Sequence, residues 1–122
     1  MDKESLIEYC LTKLGTEHDY QPLWGAERVK VSGKIFAIFS ELDGRPCMAL
    51  KCPPELAEQM RTKYKEVIPG YHLNKALWNT LFLDGALEQA FLHQMIDVSY
   101  HEVLSKLPKR IQQILAKNTS LD

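Results

Sequence analysis

Leu6, Ile7, Cys10, Leu11 and Leu14 recur at helical spacing within residues 2–14, which predicts an amphipathic helix. Asp2 and Glu4 stand in its first turn, where the positive end of the helix dipole favours carboxylates, and Gly15 follows as the expected C-cap. Residues 16–25, with Pro22 and Trp24, show neither a helical nor a strand period and read as irregular. Arg28-Val29-Lys30-Val31 alternates polar with apolar, the pattern of a half-buried strand with two cations on its wet face. Ser32-Gly33-Lys34 supplies a tight turn. Ile35 to Phe39 is apolar at every position, which predicts a central strand buried on both faces. Asp43-Gly44 marks the next turn, and Cys47 to Lys51 a third strand.

Pro53-Pro54-Glu55 opens a second helix, because proline suits the first helical position, and Leu56, Met60 and Tyr64 share one of its faces. Pro69-Gly70 interrupts the chain. The segment Tyr71 to Leu83 is expected to hold two short strands, the second ending at the turn Asp84-Gly85. A longer helix is expected from about Leu87 to Leu107, with Phe91, Met95 and Val98 on one stripe and Leu92, Ile96 and Val103 beside it. Pro108 ends or kinks it, and Ile111, Ile114 and Leu115 allow one more short helix. The order is therefore α-β-β-β-α-β-β-α. Hairpin turns predict an antiparallel sheet, and the amphipathic helices need that sheet as a surface to cover, so the expected fold is a two-layer α+β domain. A single domain over residues 1–117, followed by a tail at 118–122 that frays, is the expected organisation.

Composition agrees: 122 residues, 45% hydrophobic and 25% charged, suit one globular domain. The longest uninterrupted apolar run, Ile35 to Phe39, is five residues, far short of the roughly 18 that a membrane helix needs. The segment Met1-Asp2-Lys3-Glu4-Ser5 has no basic region leading into an apolar stretch, so no secretory signal is expected, and with no membrane partner the expected location is cytoplasmic. Cys47 and Cys52 flank the third strand, roughly 16 Å apart in an extended chain and on opposite faces, which suits reduced, buried thiols and no shared metal.

The net charge of −1 does not mark a dedicated nucleic-acid binder, whose affinity comes largely from cations on phosphate. Charge is nevertheless segregated. Residues 1–20 carry five acids against two lysines, whereas Lys51, Arg61, Lys63, Lys65 and Lys75 lie together in sequence, as do Lys106, Lys109, Arg110 and Lys117. A near-neutral protein can thus present one basic face. His93, Asp97 and His101 form one helical stripe, but its two histidines are about 12 Å apart along the axis, too far for one ion, so the stripe reads as a solvated or paired face. Neither a Gly-x-Ser-x-Gly elbow nor a glycine-rich phosphate loop occurs, and no catalytic function, cofactor or metal is expected.

The densest polar and aromatic stretch runs from Pro69 to Thr80. Its Tyr, His and Trp rings can stack on bases, while Asn and Lys can address base edges or phosphate. The competing reading makes Tyr71 and Trp78 core aromatics, has Asn74 and Asn79 hold turns, and leaves the cations solvated. Whether Trp24 and Trp78 are buried decides between a stacking platform and a core.

Pro-Gly-Tyr-His-Leu-Asn-Lys at 69–75, Trp78-Asn79-Thr80, Leu83-Asp84-Gly85 and Asp97-x-Ser99-Tyr100 resemble the MmcQ/YjbR family of small bacterial proteins, in a match that begins at Tyr9-Cys10 and runs through Leu107-Pro108-Lys109. The resemblance implies a fold like that of type III secretion chaperones and carries the family's description as DNA-binding. By position it implies nucleic-acid contacts from Lys51, Tyr71, His72, Asn74, Lys75, Trp78 and Asn79. Leu77 departs from the family pattern, where many relatives have His before the Trp, and Pro53 stands where relatives have a small polar N-cap. The expected function is modest, phosphate-directed DNA binding. The alternative is a protein-interaction module, acting on a protein partner or as a homodimer, which an exposed apolar patch would favour.

Overall fold

The structure, a computed structural model, describes residues 2–70 and 73–120. Helix α1 (Lys3–Leu11) leads into strands β1 (Thr16–Gln21), β2 (Ala26–Val31), β3 (Lys34–Leu42) and β4 (Arg45–Lys51). Helix α2 (Pro54–Lys63) follows, then β5 (Val67–Pro69), β6 (Trp78–Phe82), α3 (Gln89–Leu104) and α4 (Lys109–Ser120). The six strands form one antiparallel sheet in the order β1-β2-β3-β4-β6-β5, with α1 and α3 packed on one face. The expected α+β architecture and element order hold, with one strand more than the pattern shows. No described helix is long and apolar enough to cross a membrane.

Four boundaries differ from the sequence reading. The irregular stretch contains β1, an edge strand of Thr-Glu-His-Asp-Tyr-Gln that buries no residue fully and so leaves no apolar alternation to read. It is held by its backbone ladder to β2 and by charge pairs, including Asp19 with Arg28 and Lys30. The first of the two strands expected between Tyr71 and Leu83 lies earlier, as β5, and pairs Pro69 with Asn79. Helix α1 ends at a Thr12 cap, and Gly15, at φ +74, has Leu115 of α4 against it. Helix α4 runs through Ser120, into the segment expected to fray.

The tight turns form as the sequence predicts. Ser32-Gly33 and Asp43-Gly44 each take positive φ at both residues, which matches the right-handed twist of the strands they join. Asp2 caps α1 through its carboxylate, which accepts from the Ser5 amide at 2.9 Å.

Between Val29 and Lys30 the β2–β3 register slips, leaving Phe36 as an extra, unpaired residue on β3. Phe36 and Ala37 therefore both join the helix-covered core, while Ile35 and Ile38 fall on the other face. The β3–β4 ladder ends at Ala37 and Leu50, and the Ser99 hydroxyl of α3 completes it. That hydroxyl donates to the Phe36 carbonyl at 2.5 Å and accepts from the Lys51 amide at 2.9 Å. Tyr100 beside it packs edge-on against Phe36 and donates to the Leu14 carbonyl at 2.7 Å. Asp97, one turn earlier, accepts from the Tyr9 hydroxyl at 2.7 Å and pairs with the Lys13 ammonium at 2.6 Å, while His93 stacks flat on the Tyr9 ring. The stripe of His93 and Asp97 thus ties α1 to α3.

Ser99→Ala should destabilise the protein by about 2 kcal/mol in urea denaturation, because it strands a buried amide and a buried carbonyl at the bulge. Burial raises the Asp97 pKa, but Lys13 and Tyr9 outweigh it and hold the carboxyl below its ordinary value of 3.8. The tie therefore contributes fully above pH 3.8 and is lost as pH falls through the lower folded value. Stability of Asp97→Asn should accordingly change less than that of the wild type across acid pH. The Tyr9 hydroxyl, pushed up to about 12 chiefly by its bond to Asp97, should titrate lower in that variant, read from phenolate absorbance.

Candidate functional site

Six of the seven residues expected to contact nucleic acid fall into three groups, and Asn79 stands apart from them. Tyr71 and His72 lie outside the described residues. Lys51 and Trp78 are direct cross-strand partners at the ends of β4 and β6, so they share one face of the sheet. Asn74 and Lys75 stand exposed in the loop before β6.

Asn74 holds a turn. Its side-chain oxygen accepts from the Ala76 amide at 3.0 Å, and its carbonyl accepts from the amides of Leu77 and Trp78. The Lys75 ammonium reaches the Gly70 carbonyl at 3.3 Å. Asn79 is a correction to the expected contact set. It is 3% exposed, accepts from Arg61 Nε at 2.6 Å and donates to the Ala57 carbonyl at 3.2 Å. Both ends of its amide hold α2 to β6 and the side chain is buried, so it is closed to a base. The Arg61 guanidinium also donates to the carbonyls of Lys75 and Trp78, which pins the loop and the start of β6 to α2. Gly70 permits that closure, since a Cβ there would lie 2.8 Å from the Trp78 Cβ.

Trp78 is half-buried and packs on Ala26, Ile38 and Ala49, a second small cluster on the sheet face away from α1 and α3. That open face carries a groove of about 500 Å³. Ala26, Ile38, Ser40, Cys47, Ala49 and Thr80 line its floor, with Leu23 and Trp24 from the β1–β2 turn on one side and Leu73 on the other. Leu23 is 92% exposed and Trp24 52%, so the chain's two tryptophans flank one apolar surface, neither sealed in the main core. Sequence reasoning passed over the floor because its residues come one or two from each strand. The available signal was the run of small side chains at alternate positions, Cys47 and Ala49 on β4 facing Thr80 on β6.

Most charges on this face are already paired. Arg28 grips Asp19 with two bonds, at 2.8 and 2.7 Å, Lys30 reaches the same carboxylate at 3.0 Å, and the guanidinium lies 5.0 Å from the Trp24 ring centre. These bonds, Arg28 first, hold the Asp19 carboxyl well below the usual carboxylate range. Arg45 grips Asp84 in the same way, at 2.9 and 2.8 Å, and covers the Phe82 ring. Cys47 sits 3.6 Å from the Ser40 hydroxyl, and burial pushes its thiol pKa up, so it is a poor nucleophile at neutral pH. The groove can accept apolar groups, and among its described lining residues Cys47 is not an activated nucleophile.

Residues 11–102 match the family model named YjbR. The chain is 37% identical to the Escherichia coli protein YjbR over 117 residues, 96% of this chain and 99% of that one. It is 28% identical to the Bacillus subtilis protein YyaQ, over 83% of this chain and 97% of that one. Among solved structures, a Deinococcus radiodurans protein with the family-model domain DUF419 superposes with a TM-score of 0.84 at 26% identity, covering 93% of this chain and 86% of that one. A Pseudomonas syringae protein solved by solution NMR gives a TM-score of 0.69 at 26% identity, over 83% of this chain and 91% of that one.

Arg61→Ala should release the loop wall of the groove. Amide hydrogen exchange at residues 76–78 should accelerate by at least tenfold, while the amides of α3 remain as protected as in the wild type.

Proposed function

The chain belongs to the YjbR family, and from that premise we propose that it is a small, non-catalytic binding module whose open sheet face receives an apolar segment of a partner polypeptide. The observation that carries this reading is the groove itself. An antiparallel sheet tolerates one solvated face, but that face is ordinarily polar. Here it is floored by Ala26, Ile38, Cys47 and Ala49, with Leu23 and Trp24 exposed at its edge.

Phosphate finds little on the same face. Arg28, Lys30 and Arg45 are engaged by carboxylates, and Lys75 turns its ammonium to a backbone carbonyl. Lys51 and Lys75 would supply about two phosphate contacts and a log–log salt slope of about −2, the signature of weak, non-specific association. The expected DNA-binding function therefore has less support than the alternative of a protein-interaction module.

Two titrations separate these readings. The apolar dye anilinonaphthalene sulfonate should brighten on the folded protein at neutral pH, and Trp24→Ala should reduce that signal several-fold at unchanged Tm. Labelled single- and double-stranded DNA should show no anisotropy change at tens of micromolar protein in low salt. Steep, salt-sensitive DNA binding that is lost on changing Lys51 and Lys75 together to Ala would overturn the proposal.

A further inference from the structure

Independently of the groove, we propose a second binding site among the helices, one that takes a small amphiphilic monocarboxylate. It lies in a cleft of about 710 Å³ bounded by the turn after α1, the last turns of α3 and one face of α4. On α4 that face is Lys109, Gln112, Gln113 and Ala116, which recur at helical spacing. The lining divides by burial. Leu14, Tyr100, Leu104 and Leu115 are buried or half-buried and form an apolar floor, whereas His101, Lys109 and Gln113 are exposed at the rim. An apolar floor with a few polar groups converging on it is the composition of a small-molecule site.

Charge selects an anion. Among the described residues none of those lining the cleft is acidic, while Lys13, Lys109 and the His101 imidazole all line it. Lys13 is the inner cation: its side chain is 17% exposed, and its ammonium lies 5.5 Å from the centre of the Tyr100 ring. Asp97 takes that ammonium at 2.6 Å. An ammonium carries several N–H donors, so one carboxylate leaves it able to serve a further acceptor. Lys109 has no ion-pair partner among the described residues. Asp97 balances Lys13, which leaves the charge of Lys109 uncompensated and matches a monoanion better than a dianion.

The helix ends that meet at the cleft leave this preference in place. Carbonyls where α1 ends are occupied: Tyr9 accepts from Thr12, Cys10 from Lys13, Lys13 from Thr16 and Leu14 from the Tyr100 hydroxyl. Beyond α3, the Ser105 and Leu107 carbonyls accept from Gln112 Nε2 at 3.2 and 2.7 Å, which also fastens α4 to the end of α3. Helix α4 begins at Lys109, so the positive end of its dipole lies on the rim beside that ammonium. The carboxylate head of the ligand is therefore placed at Lys109 and His101, and its apolar chain on Leu14, Leu104 and Leu115.

The test follows amide NMR shifts of the full chain on titration with sodium octanoate, octanol, sodium acetate and octyl phosphate. Octanoate should bind with a Kd of about a millimolar, with shifts centred on Lys13, His101, Leu104 and Lys109. Octanol lacks the charge and acetate the chain, so each should bind more weakly by about tenfold or more. Octyl phosphate, largely a dianion above neutral pH, should bind no more tightly than octanoate. Lys109→Glu should weaken octanoate several-fold at unchanged Tm, whereas Trp24→Ala, on the far face of the sheet, should leave it unchanged. An absence of shifts at the cleft, octanol binding as tightly as octanoate, or octanoate binding unaffected by Lys109→Glu would overturn the site. Tighter binding of octyl phosphate would overturn the monocarboxylate as its ligand. None of these outcomes bears on the groove, which the dye titration tests separately.

Discussion

At Phe36 the third strand carries one residue more than β2 can pair, and the backbone there must find a partner or lose the free energy of a buried, unpaired carbonyl. The hydroxyl of Ser99 meets that need, taking the Lys51 amide at the same time. Much of the molecule follows from this contact. It sets the height and rotation of α3 over the sheet, places Tyr100 against Phe36, and brings Asp97 to the Tyr9 and Lys13 side chains of the first helix and its C-terminal turn. The bulge also sends both Phe36 and Ala37 into the covered core, so the far face of β3 receives Ile35 and Ile38.

The two faces of the sheet consequently differ in bulk. Large side chains fill the space beneath α1 and α3, while Ala26, Cys47, Ala49 and Thr80 leave a shallow groove on the opposite side. Loops furnish the walls of that groove, and each loop is fixed by its own bonds. Gln21 and Pro22 carbonyls accept from the Trp24 and Gly25 amides, and Arg61 and Asn74 hold the chain before β6. The groove therefore has a packed floor and anchored walls, so a guest there would meet little ordering cost.

Several residues that carry the family resemblance turn out to work inside the fold. Ser99 and Tyr100 lock α3, Asn79 joins α2 to β6, Asn74 closes a turn, and Asp84 anchors Arg45. Their short polar side chains were legible as a motif, and the same chemistry that suits a base edge also suits a buried carbonyl. Burial decides between those uses, and for Asn79, at 3% exposure, it decides for the interior.

The helices and most strands could be read from the chain because burial on one side imposes a period of 3.6 or 2 on the residues themselves. The turns at Ser32-Gly33 and Asp43-Gly44, the antiparallel sheet and the family were legible for similarly local reasons. β1 was not, because an edge strand held by its backbone and by the Asp19 pairs needs no apolar period. The position of the groove was not legible either. Alternation along a strand shows that its two faces differ, but which face a helix covers depends on where Ser99, 63 residues beyond Phe36, comes to rest. Contacts between residues so distant in sequence are set only when the layers pack, and that packing decided which face was left open.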